Sequence, residues 1–198
     1  VSTIVLAIGV QRMVKKNAII KKLPAVETLG SATVICSDKT GTLTQNKMTV
    51  QKVFADGNLS NVEDITTINN SLEKLMYTST LCNDTKIGEN NNLTGDPTET
   101  ALIDLGFKIK FDIENTLKLQ RVKEYPFDSD RKLMTTVNKV GDKYIAYTKG
   151  GIDELLAKCT KYEINGEIKD NLSEYKDTIE KYNIEMAKDA LRVLAMAY

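Results

Sequence analysis

One stretch of this sequence combines residue types that could carry chemistry: Asp38-Lys39-Thr40-Gly41-Thr42-Leu43-Thr44. It follows an apolar run at residues 32–36 that predicts a strand buried on both faces, as in a parallel sheet covered by helices. An aspartate just past such a strand lies at the rim where open α/β sheets bind ligands. The Asp38 carboxylate could attack a phosphoryl group and form an aspartyl-phosphate, while the following residues donate to phosphate oxygens. The alternative is a plain Asx-turn, but the length of the stretch argues against it.

Composition excludes several other kinds of chemistry. None of the 198 residues is a histidine, so His-based triads, general bases and metal sites are excluded. Lysine plus arginine and aspartate plus glutamate number 27 each, which leaves no basic excess for nucleic-acid binding. No G-x-x-x-x-G-K-[ST] string occurs, so P-loop chemistry is excluded too. With 41% hydrophobic residues, the chain is typical of a globular protein that buries one core.

The cysteines Cys36, Cys82 and Cys159 are far apart in the sequence. Their spacing excludes a zinc ribbon or a thioredoxin-type site, both of which need a C-x-x-C string. With no disulfide framework and no secretory signal, a reducing compartment is favoured. All three are expected to be small core hydrophobes.

The N-terminal segment joins an apolar run at residues 1–10 to a basic cluster that ends with Lys21 and Lys22. Ten residues are too few to span a bilayer, which takes about 20. No basic stretch precedes the run, which argues against a signal peptide. The pattern is typical of the cytoplasmic end of a truncated transmembrane helix, with a buried helix of a soluble domain as the alternative. Since the chain lacks a starting methionine and stops inside an apolar stretch, we expect an excised fragment.

Local signals predict the remaining elements. Asp96, Pro97 and Glu99 form an Asp-x-x-Glu capping box with proline at the first helical position, so a helix should run from residue 97 to Gly106. Apolar periodicity and turn residues predict further helices at 71–82, 152–159 and 172–190, a β-hairpin of 133–137 with 144–148, and a last strand at 192–198. Residues 83–95 read as a loop.

Residues 36–44 resemble the phosphorylation motif of P-type cation-transporting ATPases, and the similarity extends over essentially the whole chain. Residues 1–30, with Lys16-Asn17-Ala18-Ile19-Ile20 and Leu23-Pro24-Ala25-Val26-Glu27, resemble the end of the fourth transmembrane helix and its stalk in the type II, calcium-pump-like subgroup. Four strings resemble the landmarks of the family's nucleotide-binding domain: Gly95-Asp96-Pro97-Thr98-Glu99-Thr100-Ala101-Leu102, Phe127-Asp128-Ser129-Asp130-Arg131-Lys132, Lys149-Gly150-Gly151 and Leu191-Arg192-Val193-Leu194.

The resemblance implies an α/β chain of three parts. Residues 1–22 would be the truncated end of the membrane helix and its stalk, and residues 23–48 the start of a Rossmann-like phosphorylation domain of the haloacid-dehalogenase type. Residues 49–198 would form an α+β nucleotide-binding domain, an antiparallel sheet with flanking helices that is truncated at its C-terminal end.

The resemblance also implies the site. Catalysis would involve Asp38, Lys39 and Thr40, with Asp38 and the Thr40 carbonyl among the Mg²⁺ ligands. ATP would be held by Glu99, Phe127, Lys132, Lys149, Gly150 and Arg192. Phe127 would stack on the adenine, Glu99 would accept from its amino group, Lys149 would lie along the nucleotide and Arg192 would reach the phosphates.

On the residues alone, each of these positions has a simpler interpretation. Phe127 could fill a core, Lys149 could be an ordinary exposed lysine, Glu99 could complete the capping box, and Arg192 could pair with a surface carboxylate. Two departures from the family pattern also matter. Ser129 stands where sarcoplasmic-type calcium pumps have an arginine, and Gly151-Ile152-Asp153 replaces Ala-Pro-Glu after the shared Lys-Gly.

The resemblance predicts part of an enzyme that couples ATP hydrolysis, through an aspartyl-phosphate, to cation transport. Calcium is favoured by the subgroup, and the full-length protein would lie in the cell membrane with this part facing the cytoplasm. Its partners would be ATP, the transported cation and the membrane, and no nucleic acid. One alternative is a haloacid-dehalogenase-like phosphatase, but the position of its general acid and base is Thr40 here. The other is a nucleotide-binding module without autonomous catalysis, and the fragment alone is expected to be inactive.

Overall fold

The computed structural model describes residues 2–22 and 24–198. Two residues lie outside the described ranges. Val1 is the first residue of the predicted apolar run, and Leu23 is the first residue of the predicted phosphorylation segment. The chain divides into two compact units, one up to Asn46 and one from Lys47 onward.

The first unit contains two helices, α1 (Ser2–Val14) and α2 (Pro24–Gly30), and a π-helical turn at Lys39–Leu43. Pro24 begins α2, where its missing N–H would have no partner in any case. Apolar side chains of α1 face solvent, and those of Ile4 and Val5 are exposed by 66% and 63%. Among the described helices, none is both long and apolar enough to cross a membrane.

The strand predicted at residues 32–36 does not form. Val34 and Ile35 are 76% and 82% exposed, and Cys36 is exposed rather than part of a core. A strand needs a neighbour to satisfy its N–H and C=O groups, and no strand of the described residues pairs with this run. The prediction of a buried Rossmann-type strand is therefore not confirmed.

The second unit contains the larger core. In chain order its elements are β1 (Lys52–Ala55), β2 (Asn58–Asn61), α3 (Asn70–Leu81), β3 (Lys86–Ile87), β4 (Leu93–Thr94), α4 (Pro97–Lys108), α5 (Ile113–Leu117), β5 (Arg121–Asp128), β6 (Leu133–Val140), β7 (Lys143–Gly150), α6 (Ile152–Leu156), β8 (Lys161–Ile164), β9 (Glu167–Asp170), α7 (Leu172–Lys188) and β10 (Ala195–Ala197). The central sheet is antiparallel in the order β10-β7-β6-β5, and β1–β2, β3–β4 and β8–β9 are separate antiparallel pairs. The predicted antiparallel sheet with flanking helices is confirmed.

Helix α3 connects the two core clusters of this unit. The first cluster consists of Leu81, Cys82, Met134 and Tyr147, and the second of Val53, Val62, Leu72, Met76, Leu105 and Ile109. The first joins the C-terminal end of α3 to β6 and β7, and the second joins α3 to α4 and β1. Cys82 is buried as expected, and Cys159 is half-buried.

The predicted helices at 71–82 and 172–190 and the predicted hairpin are confirmed, with ends shifted by a few residues. The helix expected to end at Gly106 continues to Lys108, with Gly106 inside it. A Cβ at Gly106 would lie 2.8 Å from Ile113 Cδ1 and 3.1 Å from Met76 Cε, so this glycine allows close helix packing. Helix α6 and strand β10 are shorter than predicted.

Candidate functional site

The strand register brings three of the predicted landmarks to one end of the central sheet. Gly150 of β7 pairs with Leu133 of β6 and with Ala195 of β10, and Leu133 pairs with Asp128 of β5. Phe127 precedes Asp128 on β5, and Lys149 precedes Gly150 on β7. The landmarks on β5 and β7 and the start of β10 therefore form one row across the sheet.

Lys149 and Glu99 form a buried ion pair beside this row. Lys149 Nζ lies 2.5 Å from Glu99 Oε1, and the two side chains are only 8% and 15% exposed. The alternation of β7 places Lys149 on the same face as Tyr147, against the C-terminal end of α3, while the first turn of α4 supplies Glu99. Burying either charge alone would be costly, and the pairing offsets that cost. Lys149 is thus not an ordinary exposed lysine.

The second oxygen of Glu99 also has a fixed partner. Glu99 Oε2 accepts a hydrogen bond from the backbone N–H of Asp84 at 2.9 Å. Asp96 caps α4 by accepting from the Thr98 N–H at 2.8 Å. The predicted capping box is therefore wrong in its second half, because Glu99 bonds Asp84 and Lys149 instead of the N-cap backbone.

Phe127 is not a core residue. Its side chain is 60% exposed on β5, so one aromatic face is open to a ligand. Lys132 is exposed and pairs with Glu154 Oε1 at 2.5 Å, a hydrogen bond that raises the pKa of Lys132 and lowers that of Glu154. A Cβ at Gly150 would overlap the carbonyl oxygen of Lys132, so only glycine fits at position 150.

Arg192 is exposed and its charge acts on Asp96, the N-cap of α4. Burial alone would raise the pKa of Asp96, but hydrogen bonds from Thr98 and from the Glu99 backbone, with the charge of Arg192, lower it overall. The charge of Arg192 therefore acts at the N-terminal end of α4, the helix that carries Glu99. Among the six predicted nucleotide residues, the side-chain hydrogen bond joins Glu99 and Lys149, and the backbone of Gly150 lies against the Lys132 carbonyl.

The three predicted catalytic residues lie in the π-helical turn of the first unit. Asp38 is exposed, and its Oδ1 accepts from the Lys39 N–H at 2.7 Å. Thr44 closes the turn, since its N–H and its hydroxyl both donate to the Lys39 carbonyl, at 3.1 and 3.2 Å. Gly41 has φ +76°, which explains the glycine at this point. This contact reaches only the next residue, not the one two residues on as in an Asx-turn, and it involves Oδ1 alone.

Few groups of this chain suit a metal ion. Among the described residues, no three histidine, cysteine, aspartate or glutamate side chains group together. Asp38 offers a carboxylate and Thr40 a backbone carbonyl, which are hard oxygen donors of the kind Mg²⁺ prefers. Mg²⁺ commonly keeps several waters and binds one or two carboxylates together with substrate phosphates. The donors present fit that mode of binding and no all-protein cage.

A cavity of about 1050 Å³ lies elsewhere in the second unit. On β6 and β7 it is lined by Leu133, Thr135, Ala146 and Thr148, which alternate with Met134 and Lys149 along the strands. Because alternate strand residues face opposite sides, this cavity and the Lys149–Glu99 pair lie on opposite faces of the sheet. Thr98 of α4 and Arg192 also line this largely apolar space, so the cavity reaches the N-terminal end of α4.

Sequence reasoning missed the contacts that support Glu99. Arg121 donates to the Leu81 and Asn83 carbonyls and to Asp84, and the Asn83 side chain donates to the Glu99 carbonyl at 3.0 Å. These residues lie 16 to 40 positions from their partners, so no local pattern connects them.

Residues 71–198 match the family described as P-type ATPase, cytoplasmic domain N. The chain is 48% identical over 198 residues to calcium-transporting ATPase 1 of Bacillus cereus, with 99% of this chain and 22% of that protein covered. It is 43% identical over 200 residues to calcium-transporting ATPase 1 of Lactococcus lactis, covering 100% of this chain and 23% of the relative. With calcium-transporting ATPase type 2C member 1 of Homo sapiens it shares 37% identity over 220 residues, which is 100% of this chain and 24% of that protein. The chain thus spans less than a quarter of each of these relatives.

Proposed function

Since the chain belongs to the P-type ATPase family through its cytoplasmic domain N, we propose that its second unit binds ATP. The proposed site consists of the row on β5, β7 and the start of β10, together with the N-terminal end of α4. The observation that carries this proposal is the buried Lys149–Glu99 pair, a donor and an acceptor at the same end of the sheet as the exposed ring of Phe127. Ligand sites of this kind combine an apolar surface with a few precisely placed polar groups.

Each group of the row has a role suited to its position. Phe127 stacks on the adenine, and Glu99 accepts from the adenine amino group. Lys149 lies along the nucleotide, and Gly150 lets the backbone approach it closely. Lys132 and Arg192, both exposed cations, turn toward the phosphates, for which Lys132 exchanges its partner Glu154.

In the complete protein, the first unit would supply the phosphorylation step. The Asp38 carboxylate would attack the γ-phosphorus of ATP and form the aspartyl-phosphate, the bond from the γ-phosphorus to the β–γ bridging oxygen would break, and ADP would leave, with Lys39 and Thr40 beside Asp38 in the same turn. Mg²⁺ held by Asp38, the Thr40 carbonyl and the phosphates would neutralise the charge of transfer. Because Thr40 cannot act as the general base that hydrolyses a phosphoaspartate, the intermediate would persist. A persistent intermediate allows the reaction to be coupled to a slow conformational change.

The whole protein would be a cation pump of the cell membrane, with this part on the cytoplasmic side. Calcium is the proposed cation, because the relatives named above are calcium-transporting ATPases. Residues 1–22 would be the end of a membrane helix and its stalk, residues 23–48 the start of the phosphorylation domain, and residues 49–198 the nucleotide-binding domain.

Calorimetric titration of the 198-residue chain with ATP, ADP and AMP tests the binding proposal. Because the proposed contacts are mainly to the base, all three should bind, with modest differences between them. Failure of all three to bind a demonstrably folded sample would refute it.

Radiolabelling tests the phosphorylation step. In a complete pump that carries this sequence, ATP with Mg²⁺ should give an acid-stable label that Asp38→Asn abolishes. The 198-residue chain alone should not label, because no described strand pairs with residues 32–36 to fix the position of the Asp38 carboxylate. Equal labelling of the complete Asp38→Asn pump would show that another residue is the nucleophile.

A further inference from the structure

Arg121, on β5, ties the end of α3 to the central sheet. Its Nη2 donates to the backbone carbonyls of Leu81 and Asn83 at 2.8 and 2.6 Å, and its Nη1 donates to Asp84 Oδ1 at 2.7 Å. Carbonyls in the last turn of a helix have no intrahelical partner, so a cation here has unpaired acceptors to bind. Three hydrogen bonds from one planar group hold the backbone of residues 81–84 in a single arrangement.

The segment held by Arg121 contacts the buried ion pair directly. The Asp84 N–H donates to Glu99 Oε2 at 2.9 Å, and Glu99 Oε1 pairs with Lys149 Nζ at 2.5 Å. A continuous series of hydrogen bonds therefore leads from the guanidinium of Arg121 to the ammonium of Lys149. The Lys149 ammonium and the Asp84 N–H thus hold one Glu99 oxygen each, and together they fix the direction of the carboxylate.

We propose that Arg121 is a positioning residue of the nucleotide site, which orients Glu99 through the Asp84 N–H and thereby sets selectivity for adenine. The proposal rests on the proposed function, in which Glu99 accepts from the adenine amino group. Sites bind selectively when the groups that touch the ligand are held by rigid neighbours. If Asp84 is released, Oε2 loses its partner and the carboxylate can rotate about its remaining pair with Lys149, so the contact of Oε2 with the amino group is lost.

Inosine triphosphate distinguishes this role from a general one. Its base carries an oxo group where adenine carries the amino group, so it offers Glu99 no donor at that position. A site with an oriented Glu99 therefore prefers ATP, and a site with a disordered Glu99 does not.

Arg121→Lys is the informative variant. Lysine keeps the positive charge beside Asp84 and Glu124, but its single ammonium cannot reproduce the planar fork that reaches two carbonyls and a carboxylate together. The variant thus retains the positive charge and removes the simultaneous hydrogen bonds to Leu81, Asn83 and Asp84.

The experiment measures three quantities in the 198-residue chain: the Kd for ATP, the Kd for inosine triphosphate and the hydrogen-exchange rate of the Asp84 amide. In the wild type we expect ATP to bind about tenfold more tightly than inosine triphosphate, the effect of one charge-assisted hydrogen bond. In Arg121→Lys the ratio should fall to near one, and the Asp84 amide should exchange at least about tenfold faster.

Val53→Ala is the matched control for lost stability. Val53 lies on β1 in the other core cluster, so its truncation destabilises the unit without touching residues 81–84 or Glu99. This variant should keep the wild-type ratio of affinities and the wild-type protection of the Asp84 amide.

An Arg121→Lys protein that keeps both the ratio and the Asp84 protection would overturn the proposal. If the wild type binds neither nucleotide, the proposed function fails, and the selectivity role fails with it. The exchange rate then decides only the structural part of the proposal: unchanged protection in Arg121→Lys shows that Arg121 does not hold the Asp84 N–H, and faster exchange shows that it does.

Discussion

At the residue scale, substitution of Phe127 most directly separates an effect on ATP binding from an effect on the free energy of unfolding. Its ring is 60% exposed, so Phe127→Ala should leave the free energy of unfolding nearly unchanged. The same change should weaken ATP binding by about 1–3 kcal/mol, the worth of one base stacked on an aromatic ring. Calorimetric titration and chemical denaturation measure the two effects. Tyr144→Ala is the control, because Tyr144 is 65% exposed at the other end of β7 and should affect neither quantity.

Lys149 should behave in the opposite way, because it is buried with its partner. Lys149→Met leaves the Glu99 carboxylate buried without a countercharge, which should destabilise the chain by about 3–5 kcal/mol. The double variant Lys149→Met, Glu99→Leu removes both charges and should recover most of that loss in urea denaturation. Equal stability of the wild type and the single variant would show that the pair is not buried as described.

At the element scale, the N-terminal end of α4 should give the chain a defined acid response. Because the pKa of Asp96 is lowered in the folded state, its charge contributes stability above the unfolded value of about 3.9. That contribution is lost as the pH falls through the folded value. Asp96→Asn keeps an equally good cap without the charge. The wild type should be the more stable protein at pH 7, and urea denaturation should show this difference vanishing toward pH 2; a difference independent of pH would contradict it.

The elements predicted correctly are those whose signals are local. Helices α3 and α7 follow from apolar periodicity, and the β6–β7 hairpin follows from two apolar runs around a Gly-Asp turn. The run at 32–36 carries a strand-like composition, but composition cannot supply the neighbouring strand that such a run needs. Helix α4 continues past Gly106 to Lys108. The glycine allows close packing against Ile113 and Met76 and does not end the helix.

The residues of the candidate site also divide into those that the sequence could indicate and those that it could not. Family resemblance suggested Glu99 and Lys149 separately, while their ion pair joins positions 50 residues apart and depends on the packing of α4 against the sheet. Arg121 carried no signal at all, since its partners are backbone carbonyls, which every residue possesses. Contacts of this kind are visible only once the fold is known.

At the scale of the whole molecule, the residues proposed for nucleotide binding and those proposed for phosphorylation lie in different units. The predicted nucleotide residues all belong to the unit from Lys47 onward, and the phosphorylation turn belongs to the unit up to Asn46. The family match covers residues 71–198, within the second unit. Nucleotide binding should therefore be a property of the second unit, whereas phosphoryl transfer is proposed only for the complete pump.

The most direct test of this account is an NMR titration of the isotope-labelled chain with ATP, followed at each backbone amide. We predict saturable shifts at Phe127, Lys149 and Gly150 and at the N-terminal end of α4, with the amides of β1 and β2 unchanged. AMP should shift the same amides around Phe127, because the base makes the main contacts. Saturable shifts confined to Thr135, Ala146 and Thr148, on the opposite face of the sheet, or no shifts in a folded sample, would contradict the proposed site.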